Sequence, residues 1–154
     1  MARRALALIC DRCPRLLGQC YWAGTAAVAT EELHHRQSFD LDFHTRKALV
    51  NTAPILAELQ AAFGDDFEVV QGPDEFGSGF QGVLRIPGDD SITIEVLSNY
   101  EDVPESDLVD AETVSSLKRV SLERYLADKI QCVAERSEAR DLVDIAAVLR
   151  HAPD

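Results

Sequence analysis

No apolar run in this 154-residue chain approaches the ~20 residues that a membrane-spanning helix needs. The N-terminus, Met1-Ala2-Arg3-Arg4-Ala5-Leu6-Ala7-Leu8-Ile9-Cys10, begins like a signal peptide. Its apolar stretch stops at Asp11, and Arg12 and Arg15 follow, so it reads as an amphipathic helix of a cytoplasmic protein. Cysteine is scarce: Cys10, Cys13, Cys20 and Cys132. The Cys10-x-x-Cys13 spacing has no second pair to complete a zinc site, which favours reduced, partly buried thiols. Internal repeats and low-complexity tracts are absent. So is a basic stripe of the kind that grips a nucleic-acid backbone.

Acid is plentiful, and it is unevenly placed. The net charge is -12. Residues 1–64 and 113–154 are nearly balanced. Residues 65–112 carry fourteen acids and one base, Arg85. A solvated acidic edge that keeps the protein soluble explains this. Contacts to an RNA would have to come from the neutral thirds or from a partner.

The length suits one domain, 1–154, around one sizeable core. Leu6, Ile9, Cys13 and Leu16 predict a helix over 3–17, weakened by Pro14 and ended by Gly18. Cys20-Tyr21-Trp22 is a short strand. Gly24-Thr25 turns into a helix reaching about Leu33. Ser38 to Phe43 alternates strictly and predicts a strand. Leu49, Leu56, Leu59 and Phe63 predict a helix over 47–63. Strands are expected at Phe67–Val70, Gly82–Ile86 and Ser91–Leu97, the last two joined by the turn Pro87-Gly88-Asp89-Asp90. Residues 99–112 read as acidic and irregular. Ser121 caps a helix to about Glu135, and Ser137 caps another to Arg150. The class is α+β: a mixed sheet flanked by helices, with a helical pair over 121–150.

The chemistry concentrates on the strand 38–43. Phe39, Leu41 and Phe43 point one way; Ser38, Asp40 and Asp42 point the other. Two carboxylates about 7 Å apart along a strand can hold hard cations that bind oxygen. A metal pair clamps the attacking and leaving oxygens of phosphoryl transfer. A half-exposed strand also alternates with no metal present, so this pattern leaves both readings open. Glu95, on the alternating strand 91–97, supplies a third carboxylate if the two strands are neighbours. Otherwise it is a surface glutamate.

Three further features bear on phosphate. Gly24-Thr25 opens a helix, where free backbone N–H groups suit an anion. Arg36 follows that helix and can reach a phosphate. Lys129 falls inside the apolar stripe of Leu122, Leu126, Ile130 and Val133 on a helical wheel. A lysine there needs a partner, either triphosphate or carboxylates; alternatively its stem packs and its ammonium reaches water. Asp141 and Asp144 share a helix face. They either bond Lys129 or Arg136, or serve as first-turn acids favoured by the helix dipole. His34, His35 and His44 flank the strand without metal-protease spacing, and capping or exposure is the expected role.

Together these stretches resemble the AbiEii/AbiGii-type nucleotidyltransferase toxins, within the DNA polymerase β-like superfamily. Tyr21-Trp22-Ala23-Gly24-Thr25-Ala26-Ala27-Val28-Ala29 resembles the family's opening Gly-Gly-Thr motif. His35-Arg36-Gln37-Ser38-Phe39-Asp40-Leu41-Asp42-Phe43 looks very like its His-Arg-x-Ser-x-Asp-x-Asp-Phe motif. Asp128-Lys129 through Arg136 to Arg140-Asp141-Leu142-Val143-Asp144 looks like its closing block. The resemblance implies a metal-dependent nucleotidyltransferase. Magnesium or manganese would sit at Asp40 and Asp42, with Glu95 as third ligand or base. Nucleoside triphosphate would lie near Gly24 and Thr25, with Arg36 and Ser38 close by. Lys129, Asp141 and Asp144 would serve nucleotide binding or activation. It further implies a transfer RNA end as acceptor and a cognate antitoxin as partner. In one position the chain departs: the family usually shows two glycines before the threonine, and here Ala23 precedes Gly24. A degenerate, non-catalytic binding module is therefore the second expectation, and transfer to a small molecule the third.

Overall fold

A computed structural model of the chain describes residues 2–24, 27, 40–112, 117–136 and 139–151. Two helices come first, α1 (Ala2–Arg12) and α2 (Pro14–Gln19). The single helix expected over 3–17 is thus broken at Cys13, because Pro14 cannot continue α1 but can open a new helix at its first turn. Strand β1 (Cys20–Ala23) leads to β2 (Asp40–Ala48) across a segment of which only Gly24 and Ala27 are among the described residues. That segment contains the expected helix from Thr25 to about Leu33, His34, His35, Arg36 and Ser38.

Strand β2 runs five residues beyond Phe43, through residues expected to start a helix. Its hydrogen-bonded pairing continues to Ala48 opposite Asn99. The helix α3 begins only at Ala53 and ends at Phe63, with a proline in its first turn. Proline has no N–H and is tolerated only in a helix's first turn, so Pro54 sets the start close before it. Leu49 therefore lies in a turn, exposed, rather than on the buried stripe of Ile55, Leu59 and Phe63.

Three antiparallel neighbours follow: β3 (Phe67–Gln71), β4 (Gly79–Arg85) and β5 (Ser91–Asn99). The segment 99–112, expected to be irregular, contains β6 (Leu108–Asp110), which pairs with β7 (Lys118–Val120). Both strands are three residues long, too short for alternation to register in sequence. Two helices close the described chain, α4 (Leu122–Arg136) and α5 (Ala139–His151). The Ser121 hydroxyl accepts from the Arg124 backbone N–H at 3.2 Å, capping α4 as its position suggests. Ser137 lies outside the described residues.

The strand order is β3-β4-β5-β2-β1-β7-β6. It is a mixed sheet: β5–β2 and β1–β7 are parallel, the rest antiparallel. One face is the core. Leu41, Phe43, Ile92, Ile94, Val96, Phe80 and Leu84 are buried there with Leu6, Ile9, Leu16, Ile55 and Leu59 of the first three helices. The other face carries the polar positions of β2 and β5, and α4 reaches over it.

Candidate active site

Strands β2 and β5 set the site. They run parallel with Asp40 opposite Thr93 and Asp42 opposite Glu95. Directly opposed residues share a sheet face, about 4.8 Å apart across the ladder. Asp42 and Glu95 are therefore neighbours, and Asp40 lies two residues earlier on the same face. Gln81 of β4 extends the row beyond Glu95, and Ala23 of β1 extends it beyond Asp42.

The carboxylates feel one another. Asp42 is pushed up to about 7, first by burial and then by Glu95 and Asp40; Lys129 and Arg140 pull it back. Glu95 is raised by burial and by Asp40. Negative charge has been gathered here beyond what the surrounding cations balance. Among the described residues, no three acidic, histidine or cysteine side chains converge as they stand around one ion position.

Gly24 ends β1 beside this row. Its φ is +74°, in the left-handed region, and a Cβ built on it would fall 2.3 Å from Asp42 Oδ2. Only glycine satisfies both conditions. Ala23 is the last strand residue, not part of the turn, and its methyl is buried beside Asp42. Thr25, Arg36 and Ser38 lie outside the described residues.

Helix α4 brings Lys129 into reach of Asp42. Lys129 is buried, as its wheel position suggests, and its partners are carboxylates. Its Nζ lies 2.8 Å from Asp141 Oδ1 and 3.1 Å from Asp144 Oδ2. Both acids are fully buried. On α5, Asp141, Asp144, Ala147 and Val148 point inward, while Leu142 and Leu149 are exposed. On α4, Ile130 is likewise exposed and Tyr125 buried, so the inward stripe runs through Leu122, Tyr125 and Lys129. An ammonium shared by two acids fixes how the helical pair packs, and the apolar stripes give way to it.

Two residues near the site went unassigned in sequence. Arg140 lowers the Asp42 pKa from the start of α5. The signal available was its place one residue before Asp141. His44, expected to cap or to be exposed, instead meets Tyr21 edge-on with ring centroids 5.8 Å apart. Burial, and then the Arg124 charge, lower His44 to about 4, so it is neutral near pH 7. Its even position on β2, with Asp40 and Asp42, was the signal that it shares their face.

The fold has known counterparts. The chain superposes on JHP933 from Helicobacter pylori with TM-score 0.63 and 21% identity, covering 97% of this chain and 66% of that one. It superposes on an antigenic nucleotidyltransferase-like protein from Paracoccidioides brasiliensis with TM-score 0.60 and 19% identity, covering 96% and 75%. It also superposes on the Megavirus polyadenylate synthase with TM-score 0.60 and 11% identity, covering 99% and 32%. At these identities the likeness is one of fold. The chain spans just under two thirds of the JHP933 structure. No curated protein matches it by sequence. The sequence model of the nucleotidyl transferase AbiEii toxin, type IV toxin–antitoxin system, matches residues 24–154. With that match over most of its length, the chain belongs to the AbiEii family of nucleotidyltransferase toxins.

Proposed function

We propose that this chain transfers a nucleoside monophosphate from a triphosphate to an acceptor hydroxyl. The observation that carries the reading is the in-register pair Asp42 and Glu95, with Asp40 on the same face and Gly24 against Asp42. The donor set is oxygen alone and excess in negative charge, which fits a hard cation such as magnesium or manganese. Asp40, Asp42 and Glu95 would hold it. Bound there, it would supply charge neutralisation for the phosphates and the acceptor oxygen.

The chain's own groups have separable tasks. Gly24 and Thr25, as the start of a helix, would offer backbone N–H groups to phosphate oxygens. Arg36 and Ser38, from the motif over 35–43, would add side-chain contacts. Glu95 stands opposite Asp42 across the ladder, on the same face. It would take the proton of the acceptor hydroxyl as the new O–P bond forms and pyrophosphate leaves. Lys129 would stabilise charge on the transferred group. Asp141 and Asp144 act through Lys129, as positioning residues. The family likeness points to a transfer RNA end as acceptor, a cognate antitoxin as partner and the cytoplasm as setting.

The test is incubation with each labelled nucleoside triphosphate, magnesium or manganese, and total cellular RNA. Label joined to an RNA species is expected. One observation favours a second reading, a non-catalytic binding module: Ala23 stands where the family usually has glycine, its methyl beside Asp42. Triphosphate that fails to bind by calorimetry in the presence of either metal would select that reading.

A further inference from the structure

At the far end of β2 from Asp40 lies a second candidate site. From Asp42 to Ala48 is about 20 Å along the strand. There an open groove of about 410 Å³ is lined by Leu49, Val50, Phe76, Ser78, Ser98 and Tyr100. Leu49, Phe76 and Tyr100 are 74%, 78% and 89% exposed. Among the described residues, the buried Ser98 hydroxyl has no hydrogen-bond partner.

The groove is built rather than loose. Asp74 accepts from the backbone N–H of Phe76 and Ser78 and from the Ser78 hydroxyl, at 3.0, 3.0 and 2.7 Å. Thr52 donates its backbone N–H and its hydroxyl to the Gly77 carbonyl, both at 2.8 Å. Leu49 has φ +56°, a conformation that costs an L residue about 1–2 kcal/mol. It is held there by its N–H to the Asn99 carbonyl at 2.9 Å and by Ala48 N–H to Asp102 at 2.8 Å. The turn so formed leaves the Leu49 side chain in solvent at the groove.

Charge decides what would fit. Asp74 lines the groove, and the exposed Glu75, Glu101 and Asp102 adjoin its lining residues Phe76 and Tyr100 in the chain, within the stretch of fourteen acids and one base. Lys47 offsets only Asp102, at 3.8 Å. Nucleic acid and anionic lipid are repelled by such a rim. A second copy of this chain, at net charge -12, would set the rim against itself.

We propose that this groove docks a basic polypeptide segment carrying an apolar anchor, with the anchor between Leu49, Phe76 and Tyr100 and the flanking cations on the acidic rim. The pre-formed walls lower the ordering cost of docking. The inference holds whether or not the carboxylates transfer nucleotide.

Selection of short random peptides on the protein, with counter-selection on Phe76→Ser/Tyr100→Ser, tests it. Enriched peptides should place Lys or Arg around Leu, Phe or Trp. Synthesised, they should bind the double variant at least about tenfold more weakly than the wild type. They should bind Glu75→Lys/Glu101→Lys weaker by a similar factor, and weaken as salt rises. All four positions are exposed, so both variants should melt as the wild type does. No enrichment over the counter-selected variant overturns the proposal, as do neutral or acidic winners or indifference to charge reversal. A wild-type dimer in sedimentation that Phe76→Ser/Tyr100→Ser dissolves would assign the groove to a second copy instead.

Discussion

Gly24 and Asp42 are fitted to one another: a Cβ on the first would lie 2.3 Å from an oxygen of the second. The left-handed backbone at Gly24 adds its own demand for glycine. Gly24→Ala should therefore lose about 1–2 kcal/mol of stability from the backbone alone. It should also displace the Asp42 carboxylate. A displacement near 1 Å at a catalytic group costs on the order of 100-fold. Nucleotide transfer and thermal unfolding, measured together, check this; full activity with unchanged melting would count against the placement of Asp42.

Lys129 is shared by two buried carboxylates. Lys129→Met removes the ammonium from both, and breaking a buried pair by deleting one partner costs about 3–5 kcal/mol. Denaturant unfolding should show a loss of this size. Asp144→Asn, which leaves Lys129 with Asp141, should lose clearly less. Equal losses in the two variants would mean that the ammonium is not the common partner.

How much of this was legible depended on length and on partner type. The alternation of Leu41 and Phe43 with Asp40 and Asp42 identified a strand and a chemical face, because period 2 is visible over six residues. The inward lysine was legible from the helical wheel. Its partners were legible only as one of two alternatives, because Asp141 and Asp144 fit first-turn acids equally well; the structure selects the bond to Lys129. Leu142 and Leu149 of the same helix face outward. Ion pairing with Lys129 overrode hydrophobic periodicity on α5. The strands β6 and β7 escaped because three residues carry no period. Leu49 escaped because its spacing to Leu56 mimics a helix, whereas Pro54 and the pairing of Ala48 with Asn99 keep it out.

His44 gives a pH signature. Its folded pKa is near 4 and its ordinary value near 6.5. Between these values the unfolded chain binds a proton that the folded protein does not. Stability contributed by neutral His44 is thus full above about pH 6.5 and is lost as pH falls towards 4, by up to about 3 kcal/mol. His44→Gln should flatten this part of the stability–pH curve relative to wild type. Identical slopes for the two proteins would contradict a half-buried, neutral His44.

The N-terminal thiols should be inert. Burial, with Glu58 and Cys10 adding to it at Cys13, pushes Cys13 up to about 12; burial likewise raises Cys20 to about 12 and Cys10 to about 11. Near pH 8 these groups carry almost no thiolate, the reactive form. Iodoacetamide in native buffer should leave them largely unmodified, and in denaturant should label all three. Fast native labelling of Cys13 or Cys20 would contradict the burial.

The most direct measurement is label transfer from nucleoside triphosphate to RNA, with magnesium or manganese, by the wild type and by Asp40→Asn/Asp42→Asn. Circular dichroism and melting on the same samples establish that both are folded. Transfer by the wild type and its loss in the folded double variant is the expected result. Transfer that persists undiminished in the double variant, or that is absent from the wild type with every triphosphate, would contradict a carboxylate-centred nucleotidyltransferase.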